Sequence, residues 1–122
     1  MTETPTHIYD DECRRFQESV EEVGKRWSAG VLMALNLGST RFSEILARVE
    51  GLSDRMLAQR LKELEASGLI AREVIPTVPV QVRYALTERG ADLMRAMQPL
   101  VSWGLRWNGS GAARANSPAD VA

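Results

Sequence analysis

The 122-residue chain holds one cysteine and one histidine, and these two shortages exclude a good deal. Cys13 has no partner within the chain, so no internal disulfide staples this fold. His7 stands alone in the polar start MTETPTHIYD, without the companion ligands that a metal site needs. Apolar runs are short as well. None reaches the length that spans a bilayer, and the start lacks the basic segment followed by an apolar stretch that directs secretion. With neither a signal nor a disulfide framework, a cytoplasmic protein with no membrane association is expected. The sequence also has no Ser/His/Asp set, no phosphate-binding glycine loop and no paired metal motif. No catalytic residue, metal or cofactor is assigned, and an enzyme is not expected.

What the chain does have is enough apolar content, 44%, for one core in one small globular domain. Its net charge of −1 conceals an uneven distribution. Residues 1–25 carry seven acids against three bases, a net of −4, whereas residues 26–107 carry eleven bases against eight acids, a net of +3. This excess permits contact with nucleic acid without establishing it.

The periodicity predicts a mainly α protein with a small β-hairpin. Asp10 or Asp11 can cap a first helix running to about Val23, with Phe16, Val20 and Val23 as its apolar stripe. RWSAGVLMALNLG reads as a second, mostly apolar helix that ends between Asn36 and Gly38 and is expected at the centre of the core. Ser43 is placed as the cap of a short third helix, SEILARVE, with Ile45, Leu46 and Val49 inward and Gly51 after its end. Ser53 then caps a longer helix closed at Gly68, in which Leu57, Leu61 and Leu64 form a buried stripe opposite Arg55, Gln59 and Lys62. Helix, tight turn and longer helix make a helix-turn-helix. The period then becomes alternating. Ile70, Arg72 and Val74 fall on one side of a strand and Ala71, Glu73 and Ile75 on the other, with a second strand at 80–86. Pro76-Thr77-Val78-Pro79 suits an exposed hairpin tip, that is, a wing. A last helix begins at Thr87-Glu88 and runs through Leu93, Met94, Met97, Leu100, Val101 and Trp103, with a kink or break expected at Pro99.

Four separated segments, GKRW (24–27), RFSEI (41–45), LSDRMLAQRLKELEASGLI (52–70) and VRYALTERG (82–90), closely resemble the HxlR-type winged helix-turn-helix transcription regulators, relatives of the MarR regulators. The likeness covers roughly residues 12–105, with the motifs in the right order. It implies a bacterial, DNA-binding homodimer joined through its N- and C-terminal helices. The chain then divides into a flexible leader at 1–9, a winged-helix DNA-binding domain with its dimerisation helices at 10–107, and a disordered tail at 108–122.

On that reading the start of the second motif helix enters the major groove of double-stranded DNA. Ser53, Asp54, Arg55, Ala58, Gln59 and Lys62 occupy its outward face. Arg55 has the geometry to grip guanine and Gln59 adenine, each pair contributing about 1–3 kcal/mol of discrimination. Ser53 and the free amides beside it suit a phosphate, as does Lys62. Arg41 and Ser43 are candidate backbone anchors, and Arg83, placed near the hairpin tip, is a candidate for the minor groove. Arg72 reads as a strand-surface arginine paired to Glu73 or Glu88.

Several members of the family sense oxidants or electrophiles through an N-terminal cysteine. This chain departs from the pattern: the cysteine is usually followed by proline and sits one residue nearer the Gly-x-x-Trp motif, where Arg14 stands here. Cys13 is therefore read either as a redox sensor or as an ordinary helix residue between charges of both signs. Phe16, Trp27, Trp103 and Trp107 are candidates for a dimer core or for the pocket of a small-molecule effector, with packing as the default role of aromatics at helical spacing. Two function classes follow: a sequence-specific regulator on a pseudo-palindromic operator, or a winged-helix module for protein assembly whose outward helix face meets another protein.

Overall fold

The structure, a computed structural model, describes the backbone of residues 3–109 and the side chains of residues 10–109. Five helices and one hairpin follow in the order α1 (Glu3–Gly24), α2 (Ser28–Asn36), α3 (Phe42–Arg48), α4 (Asp54–Ala66), β1 (Ile70–Ile75), β2 (Gln81–Leu86) and α5 (Glu88–Trp107). This is a mainly α winged helix-turn-helix. The tail expected from residue 108 lies, beyond residue 109, outside the described residues.

The centre is α2. Its sequence SAGVLMALN is rich in strong helix formers and apolar on nearly every side, and the helix touches all four other helices and β2. Val31, Leu32, Ala34 and Leu35 are buried there and meet Ile45 of α3, Leu57, Leu61 and Leu64 of α4, Leu69, Ile70, and Met94 of α5. Each fully buried Leu or Ile contributes about 1.5–3 kcal/mol relative to an exposed one. The Leu57, Leu61, Leu64 stripe thus seats α4 on α2 and leaves its other face to solvent.

Three helix boundaries differ from expectation. α1 starts at Glu3, so Asp10 and Asp11 are interior positions rather than caps, and the helix takes in most of the segment expected as a leader. α2 starts at Ser28 rather than at Arg26, because Trp27 adopts left-handed angles (φ 75°) that no α-helix can include. α3 starts at Phe42 with Arg41 as its cap position, so Ser43 lies inside the first turn. The reason is Glu44, whose carboxylate accepts the backbone N–H groups of Thr40 at 2.9 Å and Arg41 at 3.1 Å. Pro99 breaks nothing: α5 continues through it to Trp107, since the ring is exposed and the carbonyl one turn earlier can turn to water.

The strands pair antiparallel in the register Ile70–Leu86, Arg72–Tyr84 and Val74–Val82 on one face, and Ala71–Ala85, Glu73–Arg83 and Ile75–Gln81 on the other. Only the base of the hairpin is buried. Val74 is half exposed and Val78, between the two prolines, is fully so, which makes this a protruding wing. Its position is set at two places. On the outer edge of β2, the Tyr84 N–H donates to the Thr40 carbonyl at 2.7 Å, tying the wing to the segment that opens α3.

At its base, Gly68 ends α4 with a left-handed φ of 79°, which only glycine adopts without strain, and the chain enters β1 directly. The Thr87 hydroxyl donates to the Gly68 carbonyl at 2.6 Å while accepting the Gly90 N–H at 3.1 Å, and the Thr87 N–H donates to the Leu69 carbonyl at 3.0 Å. α5 thereby begins directly against the backbone of β1. A Cβ at Gly90 would lie 2.0 Å from the Leu69 carbonyl oxygen, a separation that backbone cannot relieve by a rotamer change. Gly90→Ala is therefore expected to cost about 3 kcal/mol or to prevent folding; a urea melt with an unchanged midpoint would show that the contact does not constrain the fold.

Candidate nucleic-acid interface

α3, the turn through Gly51 and α4 form the helix-turn-helix, and the open end of α4 is its most accessible part. Ser53 caps α4, its Oγ accepting the Met56 N–H at 3.1 Å, an interaction that contributes about 1 kcal/mol. Ser53, Asp54, Arg55, Ala58, Gln59 and Lys62 are all exposed, as the helical stripe requires. Arg55 and Lys62 make no hydrogen bond or ion pair among the described residues. Gln59 is engaged: its Nε2 donates to Glu63 Oε2 at 3.3 Å. Glu63 also meets Arg60 and, at 3.8 Å, Lys25. Gln59 so keeps its amide oxygen and one N–H for an outside ligand.

Arg83 is not near the tip. It stands mid-strand, opposite Glu73, two ladder positions in from the Ile75–Gln81 end. There it joins Arg41, the residue before α3: Arg41 Nη2 and Arg83 Nη2 approach the same acceptor, Gln81 Oε1, at 3.4 and 3.5 Å. Ser43 is exposed in the first turn of α3. Arg72 lies on the opposite face of the hairpin and pairs with neither Glu73 nor Glu88. With Lys62, Glu65, Phe42, Leu61 and Tyr84 it lines a groove of about 390 Å³ between α4 and the wing.

The aromatic set separates. Phe16 and Trp103 line one groove of about 770 Å³ with Val20 and Val23 of α1 and Leu93, Met97 and Leu100 of α5. Trp27 lies elsewhere, packed on the core with its ring against Gly51 and the Arg26 guanidinium 5.1 Å from the ring centre. Trp107, near the end of α5, is outside the groove lining. Cys13 is exposed on α1, and its neighbours Arg14 and Arg15 both pair with Asp11 at 3.1 Å.

Ion pairing divides the molecule in a way that net charge does not reveal. Arg14, Arg15, Lys25, Arg60, Arg89 and Arg95 each pair with an acid. Arg41, Arg48, Arg55, Lys62, Arg72 and Arg83 on the helix-turn-helix or wing do not pair with an acid among the described residues, and outside these elements only Arg26 and Arg106 do not. Unpaired acids stand there too, Asp54, Glu65 and Glu73 among them, but Glu44 is turned to backbone amides instead of an arginine. Free cations beside an open helix terminus and a projecting hairpin are what a phosphate backbone attracts.

Residues 22–111 match the model of the HxlR-like helix-turn-helix family. The chain belongs to this family. It is 43% identical over 95 residues to the uncharacterized HTH-type transcriptional regulator YvaP of Bacillus subtilis, covering 78% of this chain and 88% of that one. It is 38% identical over 91 residues to the HTH-type transcriptional regulator YodB of the same organism, covering 75% and 81%. The reduced form of YodB superposes with a TM-score of 0.68 at 36% identity over 76% of this chain and 91% of that one. The redox regulator HypR in its oxidized form gives a TM-score of 0.68 at 32% identity, over 74% and 93%. Cys13 precedes the segment that the family model matches.

Glu44 and Gln81 were missed in the sequence. An acid three residues after a helix-start position was the available signal for Glu44; Gln81 had none, because Arg41 reaches it from a distant segment. The Thr40 and then the Arg41 backbone N–H hold the Glu44 carboxyl below the usual glutamate range. A carboxylate favoured in the folded state stabilises the fold above its unfolded value, and that contribution is lost as pH falls through the lower folded value. Glu44→Gln is therefore expected to melt below the parent at neutral pH and to converge with it in acid; urea midpoints measured across this range check it, and a constant gap would mean that the charge is not involved.

Proposed function

We propose that this helix-turn-helix transcriptional regulator acts as a homodimer that reads duplex DNA with α4 and grips the flanking backbone with the start of α3 and the wing. The observation that carries the reading is the concentration of unpaired cations on the helix-turn-helix and hairpin. In this reading Arg55 and Gln59 meet base edges, Gln59 exchanging its contact with Glu63 for the base. Ser53 with the open amides of α4, and Lys62, meet phosphates. Asp54 stands among these cations and tunes which bases are tolerated rather than adding attraction.

The dimer is supported by the apolar groove between α1 and α5. Phe16 is 69% exposed and Trp103 47%, on two long helices at one side of the molecule, an arrangement typical of surfaces that a partner covers. A symmetric pair would set two α4 helices about one DNA turn apart, ~34 Å, on a pseudo-palindromic operator. Cys13 falls on the same helical stripe as Phe16, Val20 and Val23, so a thiol response of this protein, if one operates, acts at the dimer groove. Against the assembly-module alternative stand the helix-turn-helix family to which the chain belongs and its relatives named as transcriptional regulators.

With duplex from upstream of its own gene in a fluorescence anisotropy titration, affinity is expected to fall steeply with salt. Arg55→Ala with Gln59→Ala is expected to reduce the preference over a scrambled duplex by at least about tenfold, the low end for one lost bidentate pair; intact preference would remove α4 from the reading role. Phe16→Glu with Trp103→Glu changes only exposed side chains and is expected to give a monomer by light scattering. A folded variant that stays dimeric would place the interface elsewhere.

A further inference from the structure

The geometry points to a built site for one backbone phosphate of duplex DNA, formed by Arg41 and Arg83 and positioned by Gln81. This rests on the DNA-binding reading and goes further by fixing which groups share a phosphate. Arg41 precedes the first helix of the motif and Arg83 stands mid-strand on the wing, yet their guanidinium groups lie within 3.5 Å of one amide oxygen. Like charges repel, and two long hydrogen bonds to a neutral acceptor only partly offset this. Nearby acids form no ion pair with either guanidinium group among the described residues. The Glu44 carboxylate is turned to the Thr40 and Arg41 backbone amides and attracts the Arg41 side chain only through space, and Glu73, directly across the ladder from Arg83, makes no ion pair with it.

The segments bearing the two arginines are locked together by the Tyr84 to Thr40 hydrogen bond at 2.7 Å, so the pairing is set by backbone rather than by chance rotamers. The site is thus preorganised and short of negative charge. A phosphodiester supplies two unesterified oxygens that accept from both guanidinium groups, and charge-assisted bonds of this kind are about twice as strong as neutral ones. Gln81, half-buried at the first position of β2, is a positioning residue: it holds the two side chains at the distance one phosphate spans. The contact carries no sequence information and fixes the register of the wing on the duplex.

Because phosphate contacts are independent of sequence, the test needs no operator. The probe is a labelled mixed-sequence duplex of about 30 base pairs, titrated by anisotropy from ~50 to ~200 mM salt with the full chain. Arg41→Gln with Arg83→Gln is expected to weaken binding to every duplex and to flatten the log–log salt slope by about 1, the value for one neutralised phosphate; a loss of about 2 would assign the two arginines to separate phosphates and overturn the shared site. Gln81→Glu, which gives both arginines an internal carboxylate, is expected to flatten it by about 1 with an unchanged melting curve. If either variant keeps the parent slope while folded, the shared phosphate site is overturned, although the Arg55 and Gln59 reading can still stand. A parent that fails to bind the duplex at low salt overturns both. Inorganic phosphate replacing chloride at equal ionic strength is expected to leave binding unchanged; displacement from the parent but not from the double arginine variant would show a free-oxyanion site and overturn the duplex assignment.

Discussion

The Leu69 carbonyl is the point on which the geometry of the molecule turns. It accepts the Thr87 N–H and sits so close to Gly90 that no side chain fits between them. One short stretch of backbone therefore fixes three directions: the exit of α4, the rise of β1 and the start of α5. Arg89 adds a second tie from the same turn, donating to the Ser67 carbonyl at the end of α4 and pairing with Glu22 of α1 at 3.5 Å. The reading helix, the wing and the last helix cannot be moved independently while that crossing is intact.

The middle of the wing is held differently. There the Tyr84 to Thr40 hydrogen bond joins it to the entry of α3, and Glu44 holds that entry in place through two backbone amides. These two attachments place Arg41, Arg83 and Gln81 in one spot and leave Arg72 and Lys62 on the other side of the hairpin. Among the described residues most cations of the body are matched to an acid, Arg26 and Arg106 excepted, whereas on the motif and wing only Arg60 is. Net charge near zero and a surface able to attract an anion are compatible for this reason: ion pairing is concentrated in the body and sparse on the motif and wing.

Most of the fold was legible because its signals are local. Ser53 as a cap, the Leu57, Leu61, Leu64 stripe, Gly68 as a stop and the proline-bounded hairpin tip need only a few neighbouring residues to be read. The starts of α2 and α3 were harder. Trp27 is a poor guess for left-handed angles, and it takes them where its ring packs on Gly51 from another loop. Ser43 outranks Arg41 as a cap by residue type, yet the acid that reaches back decides the start. Pro99 misled because the rule against proline inside helices is strongest where the freed carbonyl is buried, and here it is not. For the site, the outward face of α4 follows from helical period alone, but the company of Arg83 depends on how a strand meets a loop forty residues away. Spacing does not encode that.

α1 presents the remaining constraint. Over its described side chains the helix is almost wholly exposed, and its ties to the body are the ion pair Glu22–Arg89, the pair Lys25–Glu63 from the residue that follows it, and packing against α2. Exposed pairs of this type contribute about 0–1 kcal/mol each, too little to fix a helix of 22 residues. The apolar stripe through Phe16, Val20 and Val23 is the larger resource, and within one chain it faces an open groove. Covering that groove would add the burial of several large side chains on both long helices at once. In the proposed dimer, then, the partner does more than double the number of reading helices. It supplies the burial that α1 lacks, and because Lys25 meets the same Glu63 that holds Gln59, the seating of α1 bears on the polar network beside the reading face of α4.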